Sequence, residues 1–156
     1  MKICAIICEY NPLHYGHLYH IQKAKELSGA DGVMCILAGN FTQRAEPAVV
    51  NKYIRASMAL EAGSDIVVQM PTAYACSSAE VFALAGVKIA NAFNNVTHLA
   101  FGCETKNYPL LKEIAGYLAK EPEEYQVALK EWMDNGNSLV VSRQKAIEEL
   151  IKSNKV

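Results

Sequence analysis

The stretch Glu9-Tyr10-Asn11-Pro12-Leu13-His14-Tyr15-Gly16-His17-Leu18-Tyr19-His20 constrains this chain most, because of what flanks it. Ile3 to Cys8, just before it, is an unbroken apolar run, as expected of a strand covered on both faces in a parallel sheet. After it, Leu18, Ile21, Ala24 and Leu27 recur at helical spacing. The dodecamer is therefore a strand-to-helix turn that carries two imidazoles and a glycine at the mouth of a helix. Such a mouth presents unpaired backbone N–H groups and a partial positive charge, which makes it a seat for phosphate. Gly16 lets a ligand approach the backbone closely. His14 and His17 beside a phosphate would stabilise charge that develops during attack on phosphorus.

The rest of the chain alternates strand and helix patterns, which predicts a parallel α/β sheet with crossover helices. Strands are expected at about 2–8, 32–37, 65–70 and 97–101. Helices are expected at about 17–28, 50–62 and from Ser77 or Ser78 to Asn94, where Phe82, Ala85, Ile89 and Phe93 form an apolar stripe. From Pro109 onward the pattern is helical. Leu111, Ile114 and Leu118 form one stripe, Tyr125, Leu129 and Trp132 a second, and Leu139, Arg143, Ile147 and Leu150 a third. The fold class read from this order is a Rossmann-like α/β core over about 1–106 with a helical C-terminal appendage over about 107–156.

With 156 residues, 51% hydrophobic and 20% charged, the chain has the composition of a globular domain with a real core. The net charge of −1 gives no global basic field to capture nucleic acid, so an RNA partner would need a local patch or a further domain. The five cysteines, Cys4, Cys8, Cys35, Cys76 and Cys103, include no Cys-x-x-Cys pair and are odd in number. Free thiols in a reducing compartment are expected over a disulfide framework. No apolar run is long enough to span a membrane and no signal peptide is evident, so a cytoplasmic protein is expected.

Three clusters carry candidate chemistry. The first is the turn itself, where Asn11-Pro12 tightens the approach to the histidines and Asn11 is a candidate phosphate donor. His14, His17 and His20 recur every three residues, but no carboxylate or cysteine completes a ligand set. No protein-held metal is assigned, and Mg²⁺ is expected through substrate phosphates. The second is Gly39-Asn40-Phe41-Thr42-Gln43-Arg44-Ala45-Glu46-Pro47-Ala48, at the carboxyl end of the second strand, where open α/β sheets place ligand groups. Arg44 is a candidate clamp for a carboxylate or phosphate, with pairing to Glu46 as the plain alternative, and Asn40 and Gln43 are candidate substrate contacts. Lys52 and Arg55, on the helix that follows, read as solvated charges. The third is Phe101-Gly102-Cys103-Glu104, where Gly102 ends what reads as a central strand and would let a base or ribose lie against the backbone. Glu104 is a candidate ribose acceptor.

His14-x-Gly16-His17 after the first strand resembles the signature of the nucleotidylyltransferase and class I aminoacyl-tRNA synthetase superfamily. Joined with Glu9-Tyr10-Asn11-Pro12, with Gly39-Asn40-Phe41-x-Gln43-Arg44-x-Glu46-Pro47-Ala48 and with Phe101-Gly102-x-Glu104, it is similar to the bacterial tRNA(Met) cytidine acetate ligase family over most of the chain. The resemblance implies ATP-dependent activation of acetate to acetyl-adenylate. It also implies transfer of the acetyl group to the wobble cytidine of elongator tRNA(Met), giving N4-acetylcytidine. It makes His14 and His17 the catalytic pair and places Ile7, Cys8, Glu9, Tyr10, Asn11, Pro12, Gly16, His20 and Gly102 at nucleotide-binding positions. One departure is expected to matter. Superfamily members carry a late Ser-Ser/Thr-x-x-Arg phosphate motif, and Val141-Ser142-Arg143 inside a helical pattern is no match for it. Family members are also longer, so an amino-terminal fragment is expected, with tRNA binding completed elsewhere and a homo-oligomer left open. Two alternatives stand beside this: a nucleotidylyltransferase for a phosphorylated cofactor precursor, and a nucleotide-binding module without activity of its own.

Overall fold

A computed structural model describes residues 1–104 and 107–153. The chain divides into two compact units, Met1–Gly102 and Cys103–Val156. The boundary expected near 106 lies outside the described residues.

The first unit is a four-stranded parallel sheet in the order β3-β2-β1-β4, with β1 at Ile3–Cys8, β2 at Gly32–Ala38, β3 at Ile66–Met70 and β4 at Val96–Ala100. β1 and β2 run in register from Ile3 opposite Gly32 to Cys8 opposite Leu37. Their unbroken apolar sequence follows from burial on both faces: every residue of β2 is buried. One face carries α1 (Tyr15–Ser28) and α2 (Lys52–Glu61), whose Ile21, Ala24 and Ala59 pack with Cys4, Ile6, Val33 and Cys35. The other carries the short α3 (Thr72–Ala75) and α4 (Ala79–Asn91), whose Ala75, Ala85 and Ala90 pack with Ala5, Met34 and Ile36. α4 comes so near β1 that a Cβ at Gly86 would fall 2.3 Å from Ile7 Cδ1, so only glycine fits there. Ser78 caps α4 through Val81 N–H, as its sequence suggested.

The strand-helix alternation is as expected, with three corrections. β4 pairs with β1 on one side only, so among the described residues it is an edge strand and not a central one. Thr97, His98 and Leu99 are accordingly exposed. Phe93 of the α4 stripe lies beyond the helix end and is 42% exposed. Finally, α1 begins at Tyr15, earlier than the apolar stripe indicated, because His14 caps it.

The second unit comprises α5 (Tyr108–Leu118), α6 (Glu123–Asp134) and α7 (Leu139–Lys152). Its core joins Tyr125, Ala128, Leu129 and Trp132 with Ala146, Ile147 and Leu150. The third stripe is rotated from expectation: Ser142, Ala146 and Leu150 face inward, while Leu139 and Arg143 are exposed. Small buried residues carry no hydrophobic signal of their own, so the larger Leu139 misled the phase. All five cysteines are free thiols. Among the described residues no helix is long and apolar enough to cross a membrane.

Candidate functional site

Where β1 and β2 end and β4 gives way to Phe101, the carboxyl end of the sheet opens into a cavity of about 660 Å³, the size of a small-molecule site. His14, His17 and His20 form part of its wall. His14 is the cap of α1, in extended conformation, and its Nδ1 accepts the Gly16 N–H at 3.1 Å. In return His17 Nδ1 accepts the His14 N–H at 3.2 Å. The two rings stack with centroids 3.7 Å apart. Both Nδ1 atoms are thereby acceptors, which leaves each neutral ring with its proton on Nε2 as the donor. The glycine of the motif has a packing reason too: a Cβ at Gly16 would lie 3.0 Å from His14 Cε1.

This capping corrects one expectation. The first turn of α1 is not bare, since Gly16 N–H is taken by an imidazole and the N–H groups of His17 and Leu18 by the His14 carbonyl. The donors left for an anion at this mouth are chiefly the imidazoles, backed by the helix dipole. Burial, then His14, then His20 hold the His17 pKa below its ordinary value, and burial does the same for His20, whose Nε2 has no partner. His17 therefore takes up its proton at lower pH in the folded chain than in the unfolded one. The stability due to its neutral, cap-accepting form is complete above about pH 6.5 and is lost as pH falls through the lower folded value. The urea midpoint is expected to drop between pH 7.5 and 5.5, with a shallower drop in His17→Gln.

A strap of residues 39–49 contributes Thr42, Arg44 and Glu46 to the same cavity. It is closed by a bridge between Phe41 and Pro47 and by Thr42 N–H to Glu46 O at 2.9 Å. Side chains of the β1–α1 turn staple it down. Glu9 Oε1 accepts the Gln43 N–H at 2.5 Å and Asn11 Oδ1 accepts the Val49 N–H at 2.7 Å. Beneath both lies Arg55, fully buried. Its guanidinium donates to the carbonyls of Val50 at 2.8 Å, Glu9 at 2.6 Å and Ala38 at 3.1 Å, and also to that of Gly39. Arg55 thus ties the ends of β1 and β2 to α2, and the expectation of a solvated charge is wrong for it. Burial lowers its pKa and Glu9 partly restores it. An arginine remains charged there.

The structure brings together Ile7, Cys8, Glu9, Tyr10, Asn11, Pro12, His14, His17, His20, Arg44 and Gly102 on one cavity. Tyr10, at φ 47°, turns its ring inward, 4.7 Å from that of His17, and its hydroxyl sits 3.5 Å from Cys35 Sγ. Burial pushes the Tyr10 and Cys8 acid groups well up, so neither is an acid or nucleophile near neutrality. Among the described residues a Cβ at Gly102 would meet nothing within 4 Å. Gly16, Asn40, Gln43 and Glu104 are not among the residues that line the cavity. Asn40 Oδ1 accepts the Lys52 N–H, Gln43 Nε2 donates to Ser77 O, and Glu104 belongs to the second unit and is exposed. Arg44 and Glu46 form no ion pair among the described residues. Glu46, expected only as a partner for Arg44, lines the cavity as well, with Thr42, Phe82 and Phe101, for which no ligand role was expected. Thr42 stood inside the second cluster without one, and its burial at 7% exposure has no sequence signal.

A parallel sheet with a paired-imidazole cap after its first strand, opening on a cavity at its carboxyl end, defines a nucleotidyltransferase-type α/β protein. The chain belongs to the HIGH nucleotidyl transferase family, whose model matches residues 1–156. It is 43% identical over 156 residues to the tRNA(Met) cytidine acetate ligase of Clostridium botulinum (strain Okra / Type B1), covering 100% of this chain and 38% of the relative. It is 47% identical over 149 residues to the tRNA(Met) cytidine acetate ligase of Acetivibrio thermocellus, covering 96% and 36%. Among solved structures it resembles Thermotoga maritima TmcAL bound with alpha-thio ATP, with a TM-score of 0.93 and 37% identity over 99% of this chain and 37% of that one. The chain thus spans little more than a third of the length of these relatives.

Proposed function

We propose that this chain carries the ATP-activating site of an acetate ligase that acts on tRNA(Met), in the cytoplasm. The observation that carries the reading is the pair of Nδ1-locked imidazoles, His14 and His17, on the wall of the cavity. The relatives' names and the nucleotide analogue in the Thermotoga structure support it. ATP would lie with its phosphates on the imidazoles and the α1 mouth, and with its base toward Phe82, Phe101 and Gly102. One oxygen of acetate attacks the α-phosphorus, the bond to pyrophosphate breaks, and acetyl-adenylate forms. Nε2–H donors aimed at the phosphate oxygens would lower this barrier by positioning and electrostatics, without covalent participation. The N4 amine of the cytidine would then attack the acetyl carbon and release AMP.

Among the described residues no group of three His, Cys, Asp or Glu is placed to hold a metal ion, and the part given to Mg²⁺ rests on the phosphates. In this reading it arrives on the substrate phosphates. The test is exchange of labelled pyrophosphate into ATP. Exchange that requires acetate supports the ligase. Exchange that requires a phosphorylated acceptor supports a cofactor-type transferase, and ATP binding without any exchange supports a module that lacks activity by itself.

A further inference from the structure

Two polar side chains of the strap of residues 39–49, Asn40 and Gln43, serve as scaffolding. Gln43 receives Glu9 on its amide and gives its side-chain N–H to Ser77 O, and Asn40 Oδ1 accepts the Lys52 N–H. Among the described residues the side chains of Thr42, Arg44 and Glu46 are left over. Thr42 is 7% exposed, and its hydroxyl has no hydrogen-bond partner among the described residues. Arg44 is exposed and has no ion-pair partner among the described residues. Both line the same cavity as His14 and His17. A buried hydroxyl without a partner is uncommon in folded proteins, because its lost hydration is uncompensated. A ligand that takes up the hydroxyl removes that deficit.

We propose that Thr42 and Arg44 seat the carboxylate of the small acid that is activated in this cavity, whose imidazoles hold the phosphates. The proposal rests on the nucleotide reading above and adds to it the place of the second substrate. The guanidinium fork suits a planar carboxylate. The Thr42 hydroxyl, turned by a hop between staggered χ1 wells, donates to the same carboxylate oxygen. The other oxygen keeps its lone pair for the α-phosphorus: a P–O bond forms, the bond to pyrophosphate breaks with its electrons, and no proton moves. Glu46 decides between carboxylate and phosphate. Its carboxylate lines the same cavity two residues from Arg44, and it opposes a polyphosphate several times more strongly than a singly charged acid. Arg44 offsets that repulsion, so the Thr42–Arg44 pair acts jointly.

The full chain, loaded with a non-hydrolysable ATP analogue, is titrated with [13C]acetate and followed by NMR. Thr42→Val and Arg44→Gln are each expected to weaken acetate about tenfold or more, as loss of a hydrogen bond to a charged group does. Thr42→Ser should stay within about twofold of the parent, since the hydroxyl is kept. Affinity for the analogue should be unchanged in Thr42→Val and Thr42→Ser, which alter no charge. Acetate affinity that is unaltered in Thr42→Val or Arg44→Gln, or an analogue-loaded parent that does not bind acetate, overturns the seat. Weaker analogue binding with unchanged acetate binding also overturns it, in favour of a phosphate role. A parent that fails to bind the analogue at all overturns the nucleotide reading itself, and the two failures are thereby told apart.

Discussion

His14→Ala combined with His17→Ala is expected to reduce adenylate formation by at least about 10²-fold and to weaken nucleotide binding, as loss of preorganised donors at a developing charge does. The two imidazoles are the main donors left at the α1 mouth, because the Gly16, His17 and Leu18 amides are already engaged. The same rings also cap the helix, so alanine removes two functions at once. Loss of a cap costs about 0.5–2 kcal/mol of stability by itself. His14→Asn separates them, since asparagine is a good cap and a poor mimic of an Nε2–H donor. It should restore most of the lost melting temperature while leaving adenylate formation low. Full activity in the double alanine variant, or full recovery of activity in His14→Asn, would show that the histidines are structural only. The measurements are a thermal melt and acetate-dependent pyrophosphate exchange on the same preparations.

Arg55→Met is expected to be the most destabilising single change in the sheet unit, at about 3–5 kcal/mol, because it strips a buried charge from a set of partners that cannot find water. The carbonyls of Glu9, Ala38 and Gly39 all lose a donor, and Val50 loses another. For a chain of this length the melting temperature should fall by roughly 10 °C. Arg55→Lys should not rescue it, since an ammonium on a flexible stem cannot reproduce a planar fork that bonds in several directions. A urea midpoint for Arg55→Met within experimental error of the parent would mean that this cluster is solvated, contrary to its full burial.

The histidine motif was legible because it stands between two patterns with different periods, a continuous apolar strand and a helical stripe, so its place in the fold came with it. The parallel sheet was legible for the same reason. What stayed hidden depended on contacts between segments distant in sequence. Arg55 reads as an ordinary helix charge, since no pattern in its neighbours marks the carbonyls that collect around it from β1, β2 and the strap. Gln43 and Thr42 are adjacent in a polar loop, and sequence favoured the longer, more functional-looking amide. The structure spends Gln43 on Ser77 and leaves Thr42 on the cavity without a partner among the described residues. The position of β4 at the sheet edge was equally invisible, because strand order is set by crossover connections and not by the strand's own residues.

The staples between the turn and the strap run from side chains of Glu9 and Asn11 to backbone amides of Gln43 and Val49. They do not read the identity of the strap residues they hold, only the path of its main chain. Tip residues such as Arg44 can therefore be exchanged for others while the frame stays put, whereas transplanting the strap into a host without matching acceptors at positions 9 and 11 should leave it unanchored. On the proposed reading, altered acid preference is within reach of substitutions at a few tip positions, and recombination of whole loops must carry both segments together.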